Sequence, residues 1–509
     1  MALASLLPSF SFLTVLLGVF VFLFLFIIFN FVVAPNLKLS YFKGQGIKTR
    51  FIAPLGFISL MKKSEKEHGD NLYYFKENAR KNPNLEIEAC NIGNKAFVLI
   101  YSPRLLKAFF SSIDPYEKYK SLQPITLFSK WGFPSLTGRM FREHRKTVST
   151  MFSFNVLGDK VPMMKVNALK TLDKIASSGE LKDFDILDSM LSYAGDNVAD
   201  LFFGGHIKNY SVDGKPIVTF TSEIQNDSGV LTRTLPLLLF GPGVLRLGLT
   251  KNHREYNDRV QRFRAEVKRL IKDRKEKGDA GETDLLKVLL ETQKSQDPDV
   301  YYTDEMIIDE YIALFVAGAE NPSHLMVLAL YLLSTHPEYK KQIMNEIAEI
   351  YDKEPLCPAT LGRLNYVHGL LQETLRLQSP SFSSQPRLAV RDFNIENFRI
   401  KKGTLMMPVF FHQNYNDQVF EDASKFKPER WTDGSLKLDS FKFIPFSAGA
   451  RNCVGQHYAG LEMKVMICEF LKRFDYTINP DYKLLKTQKF LNIPKNPIPF
   501  NLTVKPKQA

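Results

Sequence analysis

Cysteine is scarce in this chain, with four residues among 509. Cys90, Cys357, Cys453 and Cys468 lie far apart and form no C-x-x-C pair, a spacing that predicts neither a disulfide framework nor a structural zinc site. The scarcity fits a reducing compartment. Each cysteine therefore needs its own explanation.

The sequence also lacks the signatures of nucleic-acid binding and of domain division. Basic residues exceed acidic ones, 67 against 54, but they are spread along the chain without zinc-finger spacing or an RNP-like segment. The formal charge of +13 favours anionic membrane surfaces or acidic protein partners, and nucleic acid is not an expected partner. No repeat or Pro/Gly/Ser-rich linker interrupts the chain, and 45% hydrophobic residues suffice for one large core.

Charge is absent from Leu6 to Val33, a run longer than the roughly 20 apolar residues that span a bilayer. A cleaved signal peptide is the alternative, but it would carry a basic start and a shorter apolar core, whereas the first charge here is Lys38. The basic residues that follow favour a cytosolic position for the rest of the chain. We therefore expect a transmembrane anchor over residues 6–33, a basic linker over 34–50 and one domain over 51–509.

Most of the remaining pattern is helical. A charged amphipathic run ends at Gly278, and a long apolar run begins with Thr303 and Glu305 as a capping pair. Residues 85–101 alternate around "NIGN" and predict a β-hairpin, and short strand-like pieces return near residues 398–410 and at the C-terminus. The expected fold class is mainly α with a small segregated β portion.

The stretch "FIPFSAGARNCVGQHYAG", Phe443 to Gly460, places Cys453 in a glycine-rich loop before a helix-like run. The nearby Arg451 and the helix N-terminus are expected to lower the pKa of the thiol. Three interpretations are open: a buried structural cysteine, a nucleophile and a metal ligand. A nucleophile would want a histidine base, and only His457 is near; a lone thiolate ligand implies a metal that brings its other ligands, as haem does.

The same segment has the form F-x-x-G-x-R-x-C-x-G, with Phe446, Gly449, Arg451, Cys453 and Gly455 at its fixed positions. In this pattern the chain resembles a cytochrome P450 of the membrane-anchored microsomal type. The resemblance implies haem b as cofactor, with Cys453 as axial ligand of the iron and the other four residues beside the cofactor. It also implies the cytochrome P450 fold, a single large haem domain behind the N-terminal anchor.

Two further segments match the family in the same order. "ETLR" supplies Glu373 and Arg376 one helical turn apart, and "FKPERW" supplies Arg430. Taken alone, the first pair would be an ordinary surface salt bridge. The resemblance implies instead that the three residues form the family's buried structural triad behind the haem, which holds the cysteine loop in register.

The resemblance also implies arginine partners for the two haem propionates. "MFREHRKTVSTMF" is similar to the family's W-x-x-x-R helix, with Phe141 in place of the tryptophan and Arg145 kept. Arg387 lies where the family places another propionate-binding residue, and Arg451 is a third candidate. Guanidinium groups suit carboxylates near a partly buried cofactor. For Arg145, an exposed cation on a basic helix is the alternative.

The sequence departs from the family in the helix over the distal haem face. "FVAGAENPSH" keeps the acid, Glu320, but has Asn321 where the family has threonine, followed by Pro322. The candidate catalytic residues are Glu320, Asn321 and Ser323, with Ser323 or an ordered water replacing the missing hydroxyl in proton delivery to dioxygen. Pro322 is expected to kink the helix about one turn earlier. Either the exchange is a tolerated variant or it marks altered chemistry.

The expected reaction is monooxygenation, in which one atom of dioxygen enters a lipophilic substrate of the fatty acid, sterol or xenobiotic class and the other leaves as water. The chain has no G-x-G-x-x-G loop and no flavin domain, so electrons are expected from NADPH through a flavoprotein reductase. The resemblance implies an endoplasmic reticulum membrane location with a cytosolic catalytic domain. The alternatives are a haem-thiolate isomerase, lyase or peroxygenase acting on hydroperoxides, and a haem sensor or binding protein.

Three sets of contact residues follow from these expectations. The basic face for an acidic reductase would include Arg142, Lys146, Lys464, Lys472 and Arg473. The substrate pocket would be lined by Phe315, Ala319, "SFSSQ" at 381–385 and "KFLNIP" at 489–494. A second membrane contact is expected in the apolar segment 229–248, around Leu237, Leu238 and Phe240 between Pro236 and Pro242.

Overall fold

A computed structural model shows a mostly helical protein. The structure describes residues 12–53, 56–112, 116–118, 129–204, 206–231, 243–278, 284–432, 434, 436, 438–439, 441–488 and 491–506. Among these residues the α-helices are Phe12–Ile28, Ala34–Lys43, Phe57–His68, Tyr73–Lys81, Pro103–Ser111, Gly138–Ser149, Phe154–Ser177, Leu187–Phe203, Ile217–Leu231, Gly243–Arg246, Lys251–Lys277, Leu285–Thr292, Asp304–Thr335, Lys340–Glu346, Pro358–Gly362, Asn365–Gln378, Phe411–Asn414 and Gln456–Arg473.

The strands are short and mostly gathered at one side of the fold. They are β1 Lys48–Arg50, β2 Ile87–Ile92, β3 Lys95–Ile100, β4 Tyr116–Lys118, β5 Ser211–Val212, β6 Lys215–Pro216, β7 Arg387–Ala389, β8 Phe393–Ile395, β9 Phe398–Ile400, β10 Leu405–Pro408, β11 Phe474–Ile478, β12 Lys486–Gln488, β13 Asn492–Pro494 and β14 Phe500–Val504. Six of them form a mixed sheet in the order β1-β2-β3-β10-β7-β4, and the others form two-stranded ribbons. The expected fold class, mainly α with a small β portion, is confirmed.

Two local predictions from the sequence are confirmed by these elements. The β2 and β3 strands pair antiparallel around the "NIGN" turn, with Ile87 opposite Ile100. The charged helix Lys251–Lys277 ends at Gly278, whose φ of 74° is a conformation that favours glycine.

The long helix, Asp304–Thr335, runs through the main hydrophobic core with most of its residues buried. Thr303 caps it by accepting a hydrogen bond from the backbone N–H three residues on, as the sequence predicts, whereas Glu305 pairs with Arg264 rather than completing the cap. The helix continues through Pro322 without interruption, so the proline does not divide it. Gly318 lets the neighbouring helix approach, since a Cβ there would lie 2.6 Å from Val198.

The N-terminal apolar helix extends beyond its expected end. Phe12–Ile28 leads through a π-helical turn into Ala34–Lys43, and residues 14–43 form a candidate membrane span with a mean hydropathy of 3.0 and none of the apolar window buried. The basic linker expected over residues 34–50 is corrected. Its first part is helical, because Pro35 stands in the first turn where no N–H is needed, and its last part is strand β1, paired with β2. Leu39 and Phe42 are buried against the sheet.

Candidate active site

A cavity of about 330 Å³ lies between the long helix and the loop that carries Cys453. Its walls are mainly apolar, with phenylalanine, leucine and valine side chains from several helices. Three arginines that lie close to one another are among its polar lining residues. Residues expected from the sequence that line it are Arg145, Asn321, Arg387, Phe446, Arg451, Cys453 and Gly455.

The cysteine loop, Phe443–Gly455, is shaped by its glycine and by backbone hydrogen bonds. Gly449 has a φ of 70°, and a Cβ at this position would lie 2.6 Å from the carbonyl oxygen of Phe110, so the site requires glycine. The Cys453 N–H donates to the Phe446 carbonyl oxygen at 2.9 Å and closes the loop. Gly455 caps the helix Gln456–Arg473 with an ordinary φ of −92°. The thiol is thus held at the start of a buried helix.

The Cys453 side chain is open to the cavity and surrounded by protein on its other sides. Burial raises the pKa of its thiol, while the Gly455 N–H and the Arg145 guanidinium lower it only in part. The depressed pKa expected from the sequence is therefore corrected, because burial outweighs the nearby positive charge. A thiolate at this position calls for a bound cation, such as a metal, to compensate it. By contrast, Cys468 is fully buried in the core.

The three arginines that line the cavity make a strongly cationic wall. Arg387 is buried and donates to the Gln385 carbonyl oxygen at 2.8 Å, and Arg451 donates to the Leu136 carbonyl oxygen at 2.7 Å. The other terminal nitrogen of Arg451 is buried without a hydrogen-bond partner among the described residues. Burial and the neighbouring Arg387 and Arg145 lower the pKa of Arg451 to about 9, so an anion placed here would be stabilised.

Arg145 and Phe141 join the helix Gly138–Ser149 to the cysteine loop. Arg145 donates to the backbone oxygen of Asn452 at 2.6 Å and to its side-chain Oδ1 at 2.8 Å. The Arg451 guanidinium carbon lies 3.5 Å from the centre of the Phe141 ring, a cation–π contact. Arg145 is therefore not an exposed cation, and Phe141 provides an aromatic wall where the family has tryptophan.

Glu373, Arg376 and Arg430 come together behind the loop. Arg376 and Glu373, both fully buried, form a two-pronged pair at 2.6 and 2.9 Å, and the Arg430 Nε lies 3.4 Å from Glu373 Oε1. Arg376 also donates to the carbonyl oxygens of Asn414, Ala423 and Lys425. Its charge and its donors are thereby satisfied inside the protein, as a buried ion pair requires.

Trp431 is a further member of this cluster that the sequence did not single out. Its indole N–H donates to Glu373 Oε2 at 2.9 Å, and its ring packs on Phe443 with the ring centres 4.8 Å apart. Phe443 is the first residue of the cysteine loop, so Trp431 links the triad to that loop. The signal was present in "FKPERW", where the tryptophan follows Arg430 directly.

The three candidate catalytic residues of the long helix face different surroundings. Asn321 lines the cavity, and its amide donates to the Ala317 carbonyl oxygen at 3.1 Å. Ser323 is buried, donates to the Ala319 carbonyl oxygen at 2.6 Å and is not part of the lining. Glu320 is also buried outside the lining, 3.4 Å from the Nε2 of His324. The expected grouping of all three around the substrate is therefore corrected by the helical phase, which turns only Asn321 inward.

Only some of the residues expected from the sequence to line the substrate pocket do so. Phe315 and Ala319 are fully buried and do not line the cavity, whereas Ser381, Ser383, Ser384 and Gln385 of "SFSSQ" do. Of "KFLNIP", residues 489–490 lie outside the described part of the chain and Leu491–Pro494 are not in the lining.

In the apolar segment 229–248, residues 232–242 are likewise outside the described residues, among them Pro236, Leu237, Leu238, Phe240 and Pro242. The wall residues that the sequence missed include Phe133, Pro134 and Phe202.

Comparison with known protein families decides the identity of this site. The family model of cytochrome P450 matches residues 54–504, most of the chain. The chain belongs to the cytochrome P450 family. It is therefore an oxidoreductase of the monooxygenase type that uses haem iron.

Curated relatives of this P450 are similar over about three quarters of its length. Echinocystic acid 23-monooxygenase of Saponaria officinalis is 26% identical over 403 residues, which cover 76% of this chain and 75% of the relative. Secologanin synthase 1 of Catharanthus roseus is 27% identical over 402 residues, covering 75% and 74%. 11-oxo-beta-amyrin 30-oxidase of Medicago truncatula is 25% identical and covers 79% and 78%.

Solved P450 structures share the fold. The retinoic acid bound cyanobacterial CYP120A1 superimposes with a TM-score of 0.74 at 21% identity, covering 90% of this chain and 99% of that one. The haem domain of cytochrome P450DA gives a TM-score of 0.71 at 19% identity, with 87% and 94% covered.

The residues at the cavity of this P450 fit a haem. A thiol faces the cavity, and three guanidinium groups, one with a buried nitrogen that has no hydrogen-bond partner in the described part of the chain, stand where carboxylates would be stabilised. The backbone at Gly449 packs directly against the Phe110 carbonyl group, with no room for a side chain between them. Cys453 would hold the iron, and Arg145, Arg387 and Arg451 would hold the propionates.

Proposed function

We propose that the protein is a reductase-dependent haem-thiolate monooxygenase that hydroxylates a lipophilic small molecule. The observation that carries the proposal is the mainly apolar cavity with Cys453 and three arginines in its lining. When bound, haem would supply dioxygen binding and cleavage, favoured by electron donation from a thiolate ligand. Overall, substrate, dioxygen, two electrons and two protons give hydroxylated product and water.

Different residues around the cavity would bind the cofactor, support the cysteine loop and orient the substrate. Cys453 would hold the cofactor through its thiolate, and the triad with Trp431 keeps the cysteine loop fixed. The apolar walls, including Phe133 and Phe141, exclude water and orient an apolar substrate. The amide of Asn321 is the polar group of the long helix that faces the cavity, where it can hold a water or the substrate by hydrogen bonding.

Glu320 would support proton supply from beside the cavity rather than from its wall. It is buried with His324 one helical turn away on the same side of the long helix. Because Asn321 is adjacent to it and faces the cavity, a water at the Asn321 amide could carry a proton from Glu320 towards the substrate side. Ser323 has no part in this route, since its hydroxyl is bonded within the helix.

Electrons are proposed to come from NADPH through a flavoprotein reductase with an acidic docking surface. Arg142 and Lys146 are exposed on the helix that also carries Arg145 and can meet such a surface. Lys464, expected from the sequence to belong to this docking surface, cannot contact a reductase, because it is buried and donates to the Leu361 carbonyl oxygen at 2.7 Å. Lys472 and Arg473 pair with acidic residues of the chain itself, Asp352 and Asp173.

The N-terminal helix is proposed to anchor the protein in the endoplasmic reticulum membrane with the catalytic domain on the cytosolic side. The apolar window of this helix is unburied, as a lipid-facing helix requires, while its C-terminal end packs on the catalytic domain through Leu39 and Phe42. Membrane residence suits lipid-soluble substrates. Two relatives are named for the oxidation of echinocystic acid and 11-oxo-beta-amyrin, so these compounds belong in the substrate panel beside fatty acids and sterols.

A second candidate function is the rearrangement or use of hydroperoxides without a reductase. It is favoured by the absence of a side-chain hydroxyl from the cavity-facing part of the long helix among the described residues, where Asn321 replaces the family's threonine. Such chemistry starts from an O–O bond that is already present and needs no proton delivery to dioxygen.

The test uses the full-length, haem-loaded protein and isotopically labelled dioxygen. One arm contains flavoprotein reductase, NADPH and the substrate panel, and a second contains fatty-acid hydroperoxides without reductase. One labelled oxygen atom in an NADPH-dependent product would support monooxygenation. Turnover confined to the hydroperoxide arm would contradict it and favour the second candidate.

A further inference from the structure

One wall of the cavity is attached to the long helix by two consecutive acidic side chains. Asp309 Oδ2 accepts hydrogen bonds from the backbone N–H groups of Lys130 and Trp131, each at 2.8 Å. Glu310 Oε2 accepts from the N–H of Phe133 at 2.9 Å. The Ser129 hydroxyl adds a bond to the Asp309 carbonyl oxygen at 2.8 Å. Both side chains are almost completely buried.

Within the attached segment, residues 129–133, residues 129–132 belong to no helix or strand, and Phe133 begins the short 3-10 helix Phe133–Ser135, where its N–H has no partner inside the helix. The amide groups of Lys130, Trp131 and Phe133 therefore depend on these two acidic side chains, because a buried N–H without a partner is costly. Gly132 lies between the two attachment points, and a Cβ there would be 2.7 Å from Ala313 Cβ. The segment is thus held against the long helix as closely as the backbone permits.

The same segment presents its side chains to the substrate space. Phe133, whose N–H is bound by Glu310, lines the cavity, as does Pro134. The Phe133 ring packs on Phe141 with ring centres 6.5 Å apart, and the Arg145 guanidinium carbon lies 5.8 Å from the Phe133 ring centre. A shift of the Phe133 backbone would therefore move an aromatic wall and disturb its neighbours on the helix that carries Arg145.

We propose that Asp309 and Glu310 are positioning residues, an acidic clamp that fixes Phe133 and thereby determines which substrates fit and how they are oriented in the cavity. This inference rests on the proposed function for the nature of the occupant but not for the clamp itself. Arg264 forms ion pairs with Asp309 and Glu305, so one Asp309 oxygen is paired with a guanidinium while the other accepts the two amide N–H groups.

The first measurement is amide hydrogen exchange of haem-loaded protein. Glu310→Ala should speed exchange at Phe133, and Asp309→Ala at Lys130 and Trp131, by about ten-fold, the loss expected for one hydrogen bond. Glu310→Gln should restore protection, since its amide oxygen also accepts. The matched control is Glu346→Gln, because Glu346 accepts from the N–H groups of Tyr366 and Val367 at 3.0 Å elsewhere in the fold. It should leave residues 129–133 unchanged.

The second measurement is spectral titration with imidazole and 4-phenylimidazole, which bind haem iron through nitrogen. 4-Phenylimidazole is longer than imidazole by its phenyl ring and needs more of the apolar cavity. Glu310→Ala and Phe133→Ala should therefore weaken the affinity for 4-phenylimidazole about ten-fold and the affinity for imidazole little. Unchanged exchange at Phe133, or an unchanged ratio of the two affinities in Glu310→Ala, would overturn the clamp. If wild type fails to bind imidazole, the haem-thiolate function itself is contradicted, whereas the exchange result still decides the clamp.

Discussion

Arg145 donates two hydrogen bonds to Asn452, the residue immediately before Cys453, at 2.6 Å to its backbone oxygen and 2.8 Å to its side-chain oxygen. The two residues are 307 positions apart in sequence, and their contact fixes the helix Gly138–Ser149 against the cysteine loop. Arg145 also lines the cavity. One guanidinium can therefore hold the loop and stabilise an anionic group of the cofactor.

Replacing Arg145 with alanine should weaken the binding free energy of haem by about 1.5–3 kcal/mol, the range for hydrogen bonds to charged groups. The loss removes both a cavity cation and the tie to Asn452. Haem content per protein is measured after gel filtration. Arg142→Ala, an exposed arginine on the same helix, is the control and should retain full haem content. Equal haem content in the two variants would contradict the role of Arg145.

Glu373→Gln should destabilise the folded protein by about 3–5 kcal/mol, because it leaves the buried Arg376 without its counter-charge. The yield of soluble haem-loaded protein and its thermal midpoint report the effect. Glu354→Gln, which breaks an exposed ion pair with Arg363, should cost less than about 1 kcal/mol. A Glu373 variant as stable as this control would show that the triad does not support the loop.

Glu310 should make stability fall as pH rises. Burial, with a contribution from Asp309, raises the pKa of Glu310 from 4.5 to about 8 against the opposing Phe133 N–H. Between these values the folded state holds a proton that the unfolded chain has lost, so unfolding becomes easier with increasing pH. Burial lowers the pKa of the neighbouring His144 to about 4, so that group stays neutral across most of the window.

The check is the thermal midpoint of haem-loaded wild type and Glu310→Gln at pH 5, 6.5 and 8. The thermal midpoint of wild type minus that of the variant should decrease steadily as the pH rises from 5 to 8. Parallel curves for the two proteins would show that Glu310 does not titrate with a raised pKa.

Asn321→Ala should lower the product formed per NADPH about ten-fold with haem content unchanged, since it removes the amide that faces the cavity. Ser323→Ala should have a smaller effect because its hydroxyl is bonded to Ala319 inside the helix. Product and NADPH consumption are measured together with reductase present. A larger loss for Ser323→Ala than for Asn321→Ala would reverse the assignment.

The parts of the site that the sequence predicted are local patterns. The positions of Phe446, Gly449 and Cys453 lie within one loop, and Glu373 and Arg376 lie within one helical turn, so spacing alone indicates their geometry. Arg430 and Arg387 were found only through resemblance to the family, because nothing in their own surroundings marks them.

The parts that the sequence missed depend on contacts between distant segments or on helical phase. Asp309 and Glu310 meet residues 129–133 from nearly 180 positions away, and no periodicity reveals such pairing. Glu320 and Ser323 lie within two positions of Asn321 in sequence, yet a helix turns each successive residue by about 100°, which leaves both outside the cavity lining. Lys464 was misplaced for the same reason, because its helix turns it inward to the Leu361 carbonyl oxygen.

The most direct test of the account is the carbon monoxide difference spectrum of the reduced, haem-loaded protein. Thiolate ligation gives a strongly red-shifted Soret band, which wild type and Cys468→Ser should show and Cys453→Ser should lose. Cys468 is the matched control because it is buried in the helix that follows the loop, outside the cavity lining. A red-shifted band that persists in Cys453→Ser would contradict Cys453 as the ligand and with it the proposed chemistry.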